Sequence, residues 1–145
     1  MTRRRVVVTG LGIVCPIGNT VEEAWKNALA GTSGITRVTK FDPSRLSCQI
    51  AGEVKGFDVA PYMSPKEARR MDTFIHYGVA TGLQAWRDCG LQVTPENAER
   101  IGINFGSGIG GLPLIEAMDA ELQKNGPRRI SPFFIPGSII NMIAG

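Results

Sequence analysis

Twice along this chain an apolar run ends in a glycine turn and opens into a helix-like pattern, and that alternation restricts the fold more than any other feature. The first instance is "RRVVVTGLG" leading to "NTVEEAWKNALAG"; the second is "RIGINF" and "GSGIGG" leading to "LPLIEAMDAELQKNG". Consecutive valines at Val6, Val7 and Val8 predict a buried strand, and Ile101, Ile103 and Phe105 put apolar side chains on one face of a second. In the first helix Thr20 and Glu23 have capping-box spacing, Val21, Ala24, Trp25 and Ala28 form an apolar stripe, and Gly31 closes the end. In the last, Ile115, Met118 and Leu122 point inward, with Gly126 and Pro127 as the stop. Strands that alternate with helices predict an α/β layered fold with some parallel pairing.

The stretch "SPKEARRMDTFIHYGVATGLQAWRDCG" predicts one long helix. Ser64 caps it, Pro65 takes the first helical position, Glu67 completes a capping box and Gly90 ends it. On such a helix Lys66, Arg69 and Arg70 stand at i, i+3 and i+4 and share one side. Gly78 and Gly82, four apart, leave a bare face suited to close packing despite the ~1 kcal/mol each costs against alanine. Between Thr32 and Met63, short alternating pieces broken by Pro and Gly read as loop with one or two short strands.

Composition removes several classes. A net charge of +3 is mild, and Arg3, Arg4 and Arg5 before a strand read as a solvated entry, not a nucleic-acid site. No apolar run approaches the ~18–20 residues needed to span a membrane, and "VVVTG" is too short for the core of a signal peptide. Cys15, Cys48 and Cys89 are odd in number and far apart, a spacing that suits neither zinc nor a disulfide framework. Reduced cysteines point to the cytoplasm. His76 is the single histidine, so acid–base chemistry by a histidine pair is unavailable, and a structural or surface role is expected.

Gly106, Gly108 and Gly111 have the G-x-G-x-x-G spacing of a dinucleotide fingerprint, after a strand and before a helix. The acidic residue such a site needs about 20 residues later has no counterpart on a second strand, since Glu116, Asp119 and Glu121 fall inside the next helix. These glycines read first as tight strand-to-helix turns, with a nucleotide-binding α/β domain as an alternative.

Five phrases, "RRVVVTGLGIVCPIGN", "FDPSRLSCQIAGEVKGFD", "RRMDTFIHYGVATGLQAWRDCGL", "IGINFGSGIGGL" and "GPRRISPFFIPGSIINMIAG", together resemble the N-terminal part of the β-ketoacyl-[acyl-carrier-protein] synthases, of the elongating type II kind. The resemblance runs through all 145 residues in order. It implies a thiolase-like αβαβα sandwich, assembled as a homodimer, with residues 1–145 forming part of the first duplicated half. The implied reaction is a decarboxylative Claisen condensation in fatty-acid elongation. An acyl group moves to an active-site cysteine, and malonyl-carrier protein loses carbon dioxide and attacks it. No cofactor of the enzyme's own is implied, because the substrate arrives on the phosphopantetheine of acyl carrier protein.

Carried over by position, Lys66, Arg69, Arg70, Arg128 and Arg129 would meet the acidic helix of acyl carrier protein. The plainer reading is a solvated helix, partly offset by Glu67. Ile109, in the turn with Gly108, would gate the acyl tunnel, and Phe134 and Ile135 would line the acyl pocket of the partner subunit. The sequence covers roughly a third of a full-length synthase and stops before the nucleophile and the two family histidines. Cys15, Cys48, Cys89 and His76 match none of them, so the chain alone is expected to be inactive and, with its apolar end uncovered, to self-associate. A non-catalytic docking and dimerisation module, or half of a split enzyme, is the competing class.

Overall fold

A computed structural model describes residues 3–145. They form two compact units, the first running to Asp58 and including Thr81–Gly90, the second made of Val59–Ala80 and Leu91–Gly145.

The first unit contains helix α1 (Val21–Leu29) and a two-stranded antiparallel sheet, β1 (Ile35–Arg37) against β2 (Ile50–Gly52), with Ile35 opposite Gly52 and Arg37 opposite Ile50. The Thr20 hydroxyl accepts the Glu23 amide at 3.2 Å, and the Glu23 carboxylate accepts the Asn19 amide at 2.7 Å. Half of the expected capping box is thus present; the Glu23 carboxylate bonds the Asn19 amide instead of that of the N-cap Thr20. Past β2, the Glu53 carboxylate accepts the hydroxyl of Thr39 at 2.7 Å and the amide of Lys40 at 3.2 Å. The hydroxyl bond of Thr39, followed by its amide, holds the Glu53 pKa below the ordinary value.

The first glycine turn packs on the second half of helix α3 (Thr73–Cys89). Leu11 N donates to Asp88 Oδ2 at 2.8 Å, Ile13 N to Gln84 Oε1 at 3.0 Å, and Gln84 Nε2 to the Asn19 carbonyl at 2.8 Å. A Cβ on Gly12 would run into the Thr81 carbonyl oxygen. Only glycine lets these two backbones approach so closely.

The second unit holds helix α2 (Pro65–Ala68), the first half of α3, α4 (Leu112–Asn125) and α5 (Phe134–Ser138), with 3₁₀ turns at Ala98–Arg100, Pro127–Arg129 and Ile140–Ile143. Its packing centres on Ile75 and Ala80, both fully buried. Gly78 lies against Ile143, the close packing its bare face predicts. Gly126, at φ +78°, ends α4 as expected. Among the described residues no helix is long and apolar enough to cross a membrane.

Four expectations need correction. The long helix is two helices: α2 stops at Ala68, Arg70 N bonds the Glu67 carbonyl in a tightened turn, and α3 restarts at Thr73. The break follows from Asp72, whose amide leaves the helical ladder to donate to the Gly137 carbonyl at 3.1 Å. Residues 6–8 and 101–105 form no ladder among the described residues, and Val6 is 92% exposed. A strand exists through hydrogen bonds to a neighbour, and these segments find none here. The pairing seen is antiparallel, not parallel. The apolar stripes are also less covered than their periodicity implies: Trp25 and Ala28 are exposed, as are Ile115 and Leu122, and no residue of α4 is buried.

Candidate functional site

All five cations singled out by sequence are exposed and belong to the second unit. Lys66 lies on α2. Ser64 sets that helix by a complete capping box: its hydroxyl accepts the Glu67 amide, and its amide donates to the Glu67 carboxylate at 3.1 Å. The Ser64 hydroxyl, and then its amide, keep the Glu67 carboxyl below the usual carboxylate range. Because α2 ends at Ala68, Lys66, Arg69 and Arg70 do not continue one helix face. Arg69 folds back, Nε donating to the Pro65 carbonyl at 3.1 Å, while the Arg70 guanidinium carbon lies 4.1 Å from the centre of the Phe133 ring. Arg128 and Arg129 occupy the 3₁₀ turn just upstream of Ser131 and Phe133.

A cavity of about 320 Å³ opens between these pieces, lined by Arg69, Arg70, Thr73, Pro113, Ser131 and Phe133 among others. Beside it is Asp72, buried at 8% exposure. Its Oδ2 accepts the Leu114 amide at 2.8 Å and its Oδ1 the Thr73 amide at 2.5 Å, so one carboxylate caps two helices.

The second glycine turn reaches the same place. Gly110, at φ +85°, adopts a conformation that favours glycine. Gly111 N donates to the Ser138 carbonyl at 2.9 Å, and a Cβ on Gly111 would approach Ser138 Cα at 2.9 Å and Asp72 Oδ2 at 3.0 Å. Ile109 is 68% exposed. Gly108 has open space where a Cβ would stand. On α5, Phe134 is half-buried and Ile135 exposed.

This geometry leaves nothing to hold a dinucleotide phosphate at the start of α4. Gly110 N donates to Ser107 Oγ, Gly111 N to Ser138 O, Leu112 N to Gly110 O and Leu114 N to Asp72, while Pro113 has no N–H. The protein's own carboxylate already occupies the position an anion would take. Glycine is needed for the turn at Gly110, by its positive φ, and for the close approach at Gly111, whereas Gly106 and Gly108 have open space where a Cβ would stand.

The remaining candidates are scattered. His76 Nε2 donates to the Ala68 carbonyl at 3.0 Å, a structural role that ties α3 to the end of α2. Cys15, Cys48 and Cys89 are separate thiols, and among the described residues no three His, Cys, Asp or Glu gather as a metal site. Sequence reasoning missed Asp72, Phe133, Gly137 and Ser138. A signal for Asp72 exists: aspartate directly before "TFIHY" is an N-cap signature. The strong capping box at Ser64 masks it.

Comparison with known proteins gives this geometry a setting. The chain is 58% identical over 145 residues to 3-oxoacyl-[acyl-carrier-protein] synthase 2 of Vibrio cholerae, and 50% and 45% identical to the proteins of that name in Coxiella burnetii and Synechocystis. In each case the match takes in 100% of this chain and 35% of the relative, so the chain spans about a third of their length. Among solved structures, a type II PKS acyl-carrier protein in complex with its ketosynthase bound to the hexaketide aligns with a TM-score of 0.78, at 26% identity, over 99% of this chain and 37% of that one. The ishigamide ketosynthase/chain length factor aligns at 0.77, with 27% identity, over 98% and 36%. The fold is accordingly the N-terminal part of the thiolase-like ketosynthase fold. Residues 3–145 match the beta-ketoacyl synthase N-terminal domain, and the chain belongs to that family.

Proposed function

We propose that this chain supplies the carrier-docking surface and part of the acyl pocket of a 3-oxoacyl-[acyl-carrier-protein] synthase of fatty-acid elongation. The whole enzyme joins an acyl group to malonyl-carrier protein by decarboxylative Claisen condensation. The names of the relatives support the reaction class. The observation that carries the reading is the gathering, in one compact unit, of five exposed cations, a cavity edged by two of them, and the segment bearing Phe134 and Ile135. Exposed positive charge steers an acidic partner and raises the encounter rate more than the affinity. Arg69, Arg70, Lys66, Arg128 and Arg129 receive the acidic helix of acyl carrier protein. The acyl chain passes Gly108 and Ile109, whose exposed side chain has room to change rotamer, and is lined by Phe134 and Ile135 across a homodimer interface. The enzyme needs no cofactor of its own and works in the cytoplasm.

The nucleophile and its histidine partners belong to the part of a synthase outside these 145 residues. His76, engaged with Ala68, and the three separate thiols offer no substitute. The test is charge reversal: Arg69→Glu with Arg70→Glu in a full-length synthase carrying this sequence raises KM for carrier-bound acyl substrate, and does so less at high salt. An unchanged KM rejects the docking role.

A further inference from the structure

Three segments meet at Asp72, two of them at its buried carboxylate and the third at its amide. Asp72 accepts the Leu114 amide through Oδ2 at 2.8 Å, donates its own amide to the Gly137 carbonyl at 3.1 Å, and has Gly111 packed against its side chain. The Gly111 amide in turn holds the Ser138 carbonyl at 2.9 Å. Just upstream, the Arg70 guanidinium lies over Phe133, and the Arg70 carbonyl oxygen fills the space a Cβ on Gly137 would need. The basic segment, the turn that carries Ile109 and the segment that carries Phe134 and Ile135 thus share a junction with no slack. A buried network of this kind is held fully made, since each lost bond leaves a desolvated polar group behind.

We infer that Asp72 is a positioning residue that couples the docking arginine to the acyl pocket and so sets discrimination among acyl-chain lengths on the carrier. This rests on the docking and pocket roles proposed above. Asp72 touches no reacting atom; its carboxylate holds the backbone at Leu114, downstream of Ile109, and its amide holds Gly137, downstream of Ile135.

The experiment uses the full-length synthase with Asp72→Asn, whose amide keeps the size but gives up one acceptor oxygen. Steady-state kinetics are measured with a series of carrier-bound acyl chains, short to long. The expected result is a change of about tenfold in the ratio of kcat/KM between short and long chains, the scale for losing one charged buried hydrogen bond. KM for the shortest chain should move by no more than about twofold, well within that scale. A merely structural role would lower the melting temperature and scale all lengths alike, and that outcome overturns the inference. If Asp72→Asn does not fold, Phe133→Leu removes the ring beneath Arg70 and should shift the same ratio about threefold; an unchanged ratio there also overturns it. Charge reversal of Arg69 alone, which leaves the Arg70 stack on Phe133 in place, raises KM equally at every length. Failure of that control defeats the docking role alone, while the length ratio in Asp72→Asn still decides the link to the pocket.

Discussion

The guanidinium of Arg70 lies over the face of Phe133, 4.1 Å from the ring centre, and so is held in place while its charge stays exposed. A planar guanidinium stacks on a ring in a way an ammonium does not. Arg70→Lys therefore keeps the charge and loses the stack. Chemical denaturation of the full-length protein should show a loss of about 0.5–1 kcal/mol, and KM for carrier-bound substrate should rise less than in Arg70→Glu. Equal KM values for the two variants would mean that charge contributes nothing at this position.

Two glycines of the same sequence type should behave oppositely. A Cβ on Gly12 meets the Thr81 carbonyl oxygen, a backbone atom that cannot swing aside, whereas a Cβ on Gly106 meets nothing within 4 Å. Gly12→Ala should cost at least the ~1–3 kcal/mol typical of overpacking. Gly106→Ala should stay within about 0.5 kcal/mol of the parent. Urea midpoints for the two variants check this, and similar values would show that the Gly12 turn can move away from α3.

The contrast between those glycines explains what the sequence made legible. Caps and stops are local: Thr20, Ser64 with Glu67, Gly31 and Gly126 declare helix ends through bonds or dihedrals within a few residues, and the structure places them as expected. Gly12 and Gly106 look alike in sequence because their difference lies in what arrives from elsewhere. Strands are the least local of all. Val6, Val7 and Val8 carry full strand propensity, yet propensity supplies no partner for their amides. At the site, the basic residues are visible as charges, but their arrangement is set by Asp72 and Gly137, residues 65 positions apart that meet through backbone alone. No periodicity encodes that contact.

Glu67 gives a pH signature. Its carboxylate accepts bonds from the Ser64 hydroxyl and amide, which lowers its pKa in the folded state. A carboxyl depressed on folding stabilises the protein above its unfolded pKa, and that contribution is lost as pH falls through the folded value. The α2 cap should hold at neutral pH and weaken only below the ordinary glutamate value of about 4.3. An NMR titration of the Ser64 amide should show a midpoint below that value, and Glu67→Gln should abolish the transition. A Ser64 amide titrating at the ordinary glutamate pKa would mean that the capping bond is not made in solution.

The exposed valines yield the last prediction. Val6, Val7 and Val8 are 92%, 68% and 80% exposed, and Ile103 is 64% exposed. Neither segment joins a ladder among the described residues, and apolar side chains on backbone outside any ladder are the combination that recruits a neighbouring strand. Burying one such side chain is worth about 1.5–3 kcal/mol, comparable to a large part of a small domain's stability of ~5–15 kcal/mol. In full-length ketosynthases of this family, further chain is available to cover them; in a polypeptide of these 145 residues alone, the available cover is another copy. Such a polypeptide should elute as oligomers or aggregate, bind a hydrophobic dye, and melt broadly. Replacing Val6 and Val8 with lysine should shift it towards monomer by placing charge on the open edge. A monodisperse parent with a sharp cooperative melt would show that these segments find cover within the chain itself.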